Sequence, residues 1–444
     1  MIKRIISVLL TVFMLFSFFC IALAENENIS EVNNEKKDLS AKSPSAVLVD
    51  LHTGMVLYRK SAGERVYPAD LTKIMTAVLV LENCKLEETA KASETALSNI
   101  PAGASPLFVK GEKLSVRQLL YAMLLASSSD AANVLAEKTS GSIEEFVSLM
   151  NKKAQELQMK NTNFTNPSGE HDERHYTTAE DMAKLAVYAM KIEELCEIVK
   201  CSSYSIPATD KYSSVRDIKT TNRLLKKENE YYYKYATGLK TGFTAEAKIC
   251  IAASAQKNEI SVIALVFGSE RDDGYKDCKS MFDFVFDNYV GQNVVKKGDI
   301  VAQTIVVNTR RNSKLILKTD ADVSVIKLKS EGEVKVTYKD NIPKEVSAPV
   351  KANQIIGTRE YYLDGKLICA VNLVSDKDYV LDPISFLVNK MIAFVTSPWL
   401  FVVIILTLIA FIIIERRRRL IRRQKRRQER ANRRKMMEEE IDKM

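Results

Sequence analysis

The sequence predicts a mixed α/β domain, then a small all-β domain and one C-terminal transmembrane helix. Three observations predict this order. A long segment of helical periodicity gives way, after Gly238, to short apolar runs of strand length. From about Gly291 onward, apolar and polar side chains alternate. Finally, residues 391–414 carry no charged side chain, and this run is long enough to cross a hydrocarbon core of about 30 Å.

The N-terminal residues 1–24 have the composition of a secretory signal peptide. Lys3 and Arg4 precede an apolar run that ends at the small-x-small pattern of Ala22 and Ala24. We expect cleavage after this pattern, and an uncleaved anchor is the alternative.

The C-terminal tail, residues 415–444, is strongly basic. Residues 416–444 hold 14 Lys or Arg against 5 Asp or Glu, an excess equal to the net charge of +9 of the whole chain. Because the tail directly follows the predicted span at 391–414, the positive-inside rule accounts for its charge without nucleic-acid binding. We therefore expect globular domains outside the cytoplasmic membrane and a cytoplasmic tail.

The first globular domain is predicted at 44–290, after a polar flexible leader at 25–43. It opens with two short β-type runs around Asp50 to Gly54, which indicate a hairpin. From Pro68 to about Leu157 the pattern is helical, with an interruption at the three serines 127–129. Ser142 and Glu145 have the spacing of a capping box.

The end of this domain and the next domain have strand-like patterns. "KICIAASA" and "ISVIALVFGS" are apolar runs of strand length, and "CKSMFDFVFDNYV" predicts a closing helix. Residues 292–378 are predicted as the all-β domain. There Val334, Val336 and Tyr338 alternate with polar residues, as in half-exposed strands.

Several spaced motifs occur in a fixed order along residues 44–290. They are "YPADLTKIMTAVLVLE", "LLASSSDAANVLAE", "NFTNPSGEHDERHYTTAEDMAKLA", "TTNRLL" and "ATGLKTGFTAEAKICIAASA". This series resembles the serine-type D-alanyl-D-alanine carboxypeptidases of the cell wall, which are low-molecular-mass penicillin-binding proteins of peptidase family S11. The resemblance implies a β-lactamase/transpeptidase-like α/β (α+β) fold. The β domain and a C-terminal anchor also suit that family.

The resemblance also implies a role for each matching residue. A serine would attack the D-alanyl-D-alanine amide of the peptidoglycan stem peptide, and Lys73, one helical turn on, would be its general base. Ser127 would relay a proton. Lys240 and Thr241 would hold the terminal carboxylate of the substrate.

Two further implied features concern the backbone around the substrate. Gly242 would let its strand approach the substrate closely. The N–H groups of Asp70 and Phe243 would form the oxyanion hole. Neither a metal nor a cofactor is expected, because His171 and His175 lie in a polar segment without a third ligand group.

Two positions depart from the family pattern. Asp70 stands where the nucleophilic serine is expected, and Ser129 stands where an asparagine would position substrate. Attack by a carboxylate on an amide would give an anhydride and expel a poor leaving group, so acyl transfer through Asp70 is chemically implausible. We also expect Asp70 to pair with Lys73 and to favour its charged form. A simpler interpretation of Asp70 is a helix cap.

The sequence therefore supports two functions. The first is a membrane-anchored pseudoenzyme of peptidoglycan metabolism that binds stem peptide or an unidentified wall-synthesis partner. The second is an active D-alanyl-D-alanine carboxypeptidase with an unrecognised nucleophile. Asp70 favours the first function.

Overall fold

The computed structural model describes residues 39–100, 106–270, 272–311, 313–363 and 365–441, and side chains as far as residue 433. The predicted signal peptide, 1–24, and most of the predicted leader, 25–43, lie outside the described residues. The end of the leader is not flexible as predicted, because Ala41 and Ser43 are buried and the N–H of Ser43 donates to the Asp277 carboxylate (2.7 Å). The chain divides into two compact units, Met1–Val290 and Gly291–Met444.

Nine strands are described in the first unit. They are β1 (Ser45–Asp50), β2 (Val56–Lys60), β3 (Thr89–Lys91), β4 (Lys113–Ser115), β5 (Ser203–Ile206), β6 (Arg216–Lys219), β7 (Ala236–Thr244), β8 (Lys248–Lys257) and β9 (Ile260–Ser269). Five of them form an antiparallel sheet in the order β2-β1-β9-β8-β7. Strand β7 therefore lies at one edge of this sheet.

The first unit also contains helices, several of which pack on this sheet. They are α1 (Thr72–Asn83), α2 (Glu94–Ser98), α3 (Val116–Leu125), α4 (Ser129–Ser140), α5 (Ile143–Glu156), α6 (Ala179–Ala189), α7 (Glu193–Lys200) and α8 (Asp273–Asn288), with 3₁₀ turns at Ala69–Leu71 and Arg223–Leu225. Nearly every residue of β9 is buried. Because alternate side chains of a strand point to opposite faces, the sheet is covered on both sides.

The predicted hairpin around Asp50 to Gly54 is confirmed. The Asp50 carboxylate accepts a hydrogen bond from the N–H of Thr53 (2.9 Å), and the N–H of Gly54 donates to the Asp50 carbonyl (2.9 Å). Gly54 has a φ of +69°, a left-handed conformation that glycine adopts without steric cost. The turn thereby aligns β1 and β2 as antiparallel neighbours.

The helical segment predicted from Pro68 to Leu157 differs in part. The antiparallel pair of β3 and β4 interrupts it, and the predicted break at 127–129 separates α3 from α4. Ser142 accepts a hydrogen bond from the N–H of Glu145 (3.1 Å), as in the first half of the predicted capping box. A reciprocal capping box occurs instead at Ser115 and Gln118.

The strands from residue 289 onward are β10 (Tyr289–Val295), β11 (Ile300–Val307), β12 (Ser313–Thr319), β13 (Val323–Leu328), β14 (Val336–Asn341), β15 (Glu345–Ser347), β16 (Ile355–Leu363) and β17 (Lys366–Ser375). Six of them form a sheet in the order β14-β16-β17-β12-β11-β15, and β10 pairs with β13. The predicted alternation is confirmed at Val334 and Val336, which are half-buried between exposed residues, and fails at Tyr338, which is exposed.

The charge-free run 391–414, predicted as one transmembrane helix, is shared between two helices. These are α9 (Pro383–Val395) and α10 (Pro398–Ile441). Proline favours the first turn of a helix and disfavours helical backbone in the residue before it, which explains the break ahead of Pro398. By length and composition, α10 is a candidate membrane span.

Candidate active site

The first predicted pair of site residues lies where the 3₁₀ turn Ala69–Leu71 leads into α1. Lys73 is completely buried, and its Nζ donates to the Asp70 carboxylate and to the main-chain carbonyl of Ser168 (2.6 Å). The predicted pairing across one helical turn is therefore confirmed. Because both partners accept hydrogen bonds, the Lys73 amine acts as a donor on each side.

Asp70 is held by this ion pair rather than by a helix cap. Its side chain is 23% exposed, and α1 begins without a side-chain cap hydrogen bond. The simpler interpretation of Asp70 as a helix cap is therefore wrong. The carboxylate turns toward Lys73 because a buried ammonium needs a charged partner.

The second pair joins the α3–α4 connection to β7. Nζ of Lys240 contacts Oγ of Ser127 and donates to the carbonyl of Thr241 (2.6 Å). Lys240 is buried, and this burial lowers its pKa to about 8. The charge of Asp70 opposes that shift, whereas the charge of Lys73 adds to it.

Ser129, the position at which the family pattern has asparagine, is the first residue of α4 and is half-buried. The neighbouring Ser128 caps this helix, because its Oγ accepts from the N–H of Ala131 (3.3 Å) and contacts the Asp130 carboxylate. Asp130 in turn accepts from the N–H of Phe108 (2.9 Å). This network fixes the serine segment at the start of α4.

The three residues after Lys240 continue along the edge strand β7. The hydroxyls of Thr241 and Thr221 are 2.8 Å apart, and the Phe243 side chain is exposed. A Cβ on Gly242 would lie 2.7 Å from the backbone nitrogen of Asp70. Glycine is therefore required for β7 to pass the 3₁₀ turn that carries Asp70.

Sequence reasoning did not assign a role to the "NPSG" turn, which contributes the Ser168 carbonyl. The Asn166 side chain accepts from the N–H groups of Gly169 (2.7 Å) and Glu170 (3.1 Å) and shapes this turn. Gly169 has a φ of +83°, and a Cβ there would lie 1.9 Å from the Ala69 carbonyl oxygen. The Asn-Pro dipeptide signals a turn, but its contact with α1 is a tertiary feature.

The two histidines have separate surroundings. Nδ1 of His175 accepts from the N–H of Thr165 (3.1 Å), and Nε2 lies 2.9 Å from the Thr72 hydroxyl. Burial lowers the pKa of His175 to about 4, so the ring is neutral. His171 packs edge-on against Tyr67. Within the described ranges, no cluster of three or more potential metal ligands is found.

Comparisons with known proteins match both units. The sequence profile described as "D-alanyl-D-alanine carboxypeptidase" matches residues 31–271, and "Penicillin-binding protein 5, C-terminal domain" matches 289–380. The D-alanyl-D-alanine carboxypeptidase DacF of Bacillus subtilis (strain 168) is 35% identical over 384 residues, which are 85% of this chain and 94% of that protein. DacA of Escherichia coli (strain K12) is 28% identical over 81% of this chain and 88% of its own length.

Solved structures agree with the sequence comparison. Penicillin binding protein 5 from Haemophilus influenzae superposes with a TM-score of 0.57 at 26% identity, over 78% of this chain and 99% of that chain. A variant of the Streptomyces K15 DD-transpeptidase gives a TM-score of 0.52 at 30% identity, over 56% of this chain and 99% of that chain. The chain belongs to the D-alanyl-D-alanine carboxypeptidase family, the low-molecular-mass penicillin-binding proteins of peptidoglycan metabolism.

Proposed function

We propose that this chain is a membrane-anchored, extracytoplasmic pseudoenzyme that binds stem peptide or a wall-synthesis partner without cleaving the peptide. In this proposal Asp70 occupies the nucleophile position. The observation that carries the proposal is the ion pair between Asp70 and the buried Lys73. A carboxylate replaces the hydroxyl nucleophile and also engages the amine that would deprotonate it.

This arrangement would greatly lower catalytic turnover. Removing a catalytic serine from another hydrolase lowers turnover by on the order of 10⁶-fold. A general base must accept a proton, yet the two Lys73 contacts, to Asp70 and to the Ser168 carbonyl, both use its N–H groups as donors. Both requirements for acyl transfer at position 70 are therefore lost together.

Substrate binding depends on other residues and is retained in the proposal. Lys240 and Thr241 would receive the terminal carboxylate of D-alanyl-D-alanine, and the N–H groups of residues 70 and 243 would face the amide carbonyl. Gly242 supports this placement, because it allows β7 to run beside the backbone of Asp70. Ser129 offers a hydroxyl where the family pattern has an amide.

The proposed topology has one membrane crossing by α10. Its apolar residues 398–414 would span the bilayer, and the basic residues that follow would lie in the cytoplasm. Both globular units would then face the cell wall. The cleavable signal peptide proposed at residues 1–24 is consistent with that orientation.

Peptide binding without turnover tests the proposal. Full-length protein in detergent is titrated by calorimetry with a stem-peptide mimic ending in D-alanyl-D-alanine, and D-alanine release is measured in parallel. We expect saturable heat that is lost for the C-terminally amidated peptide, and no D-alanine. Turnover at a rate typical of enzymes, with a kcat of about 1 s⁻¹ or more, would contradict the proposal.

A matched pair of variants locates the binding site. Thr241→Val removes a hydroxyl beside Lys240, whereas Thr237→Val removes one on the same strand that hydrogen-bonds Ser254 (2.7 Å). We expect the first variant to weaken peptide binding by roughly tenfold, the equivalent of about 1.4 kcal/mol for a hydrogen bond to a charged group. The second variant should bind as the parent does. Equal effects would contradict the assignment.

The second candidate function is the active carboxypeptidase with another nucleophile. The contact of Ser127 with Lys240 is the specific observation in its favour. Loss of D-alanine release on Ser127→Ala would support it.

A further inference from the structure

We infer that Ser127 is an acylatable nucleophile in this chain and that Lys240 is its base. This inference goes beyond the proposed function, which concerns position 70 and peptide binding. The substrate class is activated acyl and phosphoryl donors, such as esters and fluorophosphonates. Such donors carry a good leaving group and do not require the positioned machinery that an amide demands.

The arrangement of the two side chains is that of a serine–lysine dyad. Nζ of Lys240 contacts Oγ of Ser127. Lys240 is 1% exposed, whereas Ser127 is half-buried. The amine is thus shielded from water while the hydroxyl remains reachable, and serine–lysine pairs of this kind carry acyl transfer on unrelated folds.

The two lysines of the site differ in what they contact. Lys73 contacts the Asp70 carboxylate, a charged partner. Lys240 contacts a hydroxyl and the Thr241 carbonyl, which are uncharged. Burial lowers the pKa of Lys240 to about 8, so a substantial fraction of this amine is neutral in mildly alkaline solution.

The charged groups around Lys240 lie on few of the elements packed against β7. Asp70 in the 3₁₀ turn raises the pKa of Lys240, and Lys73 on α1 lowers it. The Cys250 thiol on β8 is buried, which raises its pKa to about 12 and keeps it neutral. Arg223 in the second 3₁₀ turn pairs with Asp272.

Two further helices, α3 and α7, pack against β7. Arg117 of α3 pairs with Glu87, and α7 adds no charge on the side that faces β7. Helix α7 packs through Leu195, Ile198 and Val199, and its glutamates and Lys200 are exposed. The ionisation of Lys240 is therefore governed mainly by its own burial, by Asp70 and by Lys73.

The backbone at Ser127 also distinguishes it from its neighbours. Its φ is +61°, a left-handed conformation that is uncommon for residues other than glycine and that clusters at functional sites. The residue precedes α4, a helix of 12 residues. The positive end of the helix dipole would stabilise negative charge that develops on an acyl oxygen near Ser127.

The proposed step transfers an acyl group to Ser127. Neutral Lys240 takes the hydroxyl proton while Oγ of Ser127 bonds to the acyl carbon, and the bond to the leaving group breaks. The leaving group then takes the proton from the Lys240 ammonium. With a fluorophosphonate, an O–P bond replaces the P–F bond, fluoride departs, and the proton passes to solvent.

The experiment is labelling of the full-length protein in detergent with a fluorescent fluorophosphonate between pH 6 and pH 10, followed by peptide mapping. We expect one adduct, on Ser127, with a rate that rises with pH and levels off above about 8 as Lys240 loses its proton. An adduct on any other residue, or a rate that still climbs at pH 10, would overturn the inference.

Three variants test the roles of individual side chains. Ser127→Ala should remove the adduct. Ser128→Asn removes the neighbouring hydroxyl but keeps a helix-capping side chain, and it should label as the parent does. Asp70→Asn should move the midpoint of the pH profile downward, since the Asp70 charge raises the pKa of Lys240. An unchanged midpoint would refute the role of Lys240.

The test does not depend on the folding of Ser127→Ala, and it separates this inference from the proposed function. If Ser127→Ala does not fold, as judged by circular dichroism, mapping and the pH profile of the parent still decide the question. D-alanine release by the parent that survives in Ser127→Ala would contradict the proposed function and leave the labelling result unaffected. Absence of an adduct would contradict this inference and leave the argument about Asp70 intact.

Discussion

Restoring a serine at position 70 tests the proposed loss of catalysis. Asp70→Ser supplies a hydroxyl one turn before Lys73 and removes the carboxylate that Lys73 contacts. We expect this variant alone to release little D-alanine from a stem-peptide mimic. The substrate would still lack the amide that an asparagine at position 129 offers, and Ser129 stands there at the start of α4.

The size of the expected effect on the rate follows from how well the substrate is positioned. A substrate misplaced by about 1 Å reacts on the order of 10²-fold more slowly. Ser129→Asn alone has no hydroxyl nucleophile at position 70, so its rate should equal that of the parent. If the double variant releases D-alanine faster than Asp70→Ser by that factor, the coupling free energy between the two positions is about 3 kcal/mol.

The assay compares D-alanine release by the parent, the two single variants and the double variant at equal concentration. Nucleophile, base and positioning groups act as a unit, so their effects should be strongly non-additive. A parent that already matches the double variant would refute the reasoning, because catalysis would then not depend on these positions. A folded but inactive double variant would show that the site differs from active relatives at further positions.

Three other predictions concern labelling, membrane attachment and pH. Fluorescent penicillin should leave residue 70 of the parent unmodified and should acylate it in Asp70→Ser; peptide mapping of a parent adduct to residue 70 would contradict this. The protein should stay with membranes in high salt, and external protease should remove both globular units; release of the intact chain by salt would contradict the span. Stability should fall between pH 6.5 and about 4, because unfolded His175 binds a proton that the buried ring resists. The free energy of unfolding should fall by about 3 kcal/mol, measured as a lower urea midpoint at the acid end. In His175→Asn the midpoint should depend less on pH, and an equal pH dependence in that variant would refute the assignment.

The features that the sequence predicted correctly are local ones. The hairpin at Asp50 to Gly54 depends on a short turn, and the pairing of Asp70 with Lys73 depends on the three-residue spacing of a helix. The interruption at 127–129 follows from serines that favour helix caps over helix interiors. Each of these features requires only neighbours within a few residues.

The features that were missed depend on distant parts of the chain. The Ser168 carbonyl reaches Lys73 across 95 positions of sequence, and no local pattern encodes that contact. Strands β3 and β4 are three residues each, which is too short for a periodic signal to compete with the surrounding helical pattern. The exposure of Tyr338 depends on β14 lying at the edge of its sheet.

The ion pair at the start of α1 links the stability of the fold to the proposed loss of activity. Lys73 is fully buried, and an isolated ammonium in such a position is costly unless a charged partner compensates for it. Asp70 supplies that partner, and it contacts the same amine that would serve a catalytic serine as general base. A serine at position 70 would leave the buried Lys73 with uncharged acceptors such as the Ser168 carbonyl, so the variant would gain a hydroxyl and lose a stabilising ion pair. In this proposal greater stability and lower catalytic competence have one physical cause at position 70, the negative charge of a single carboxylate.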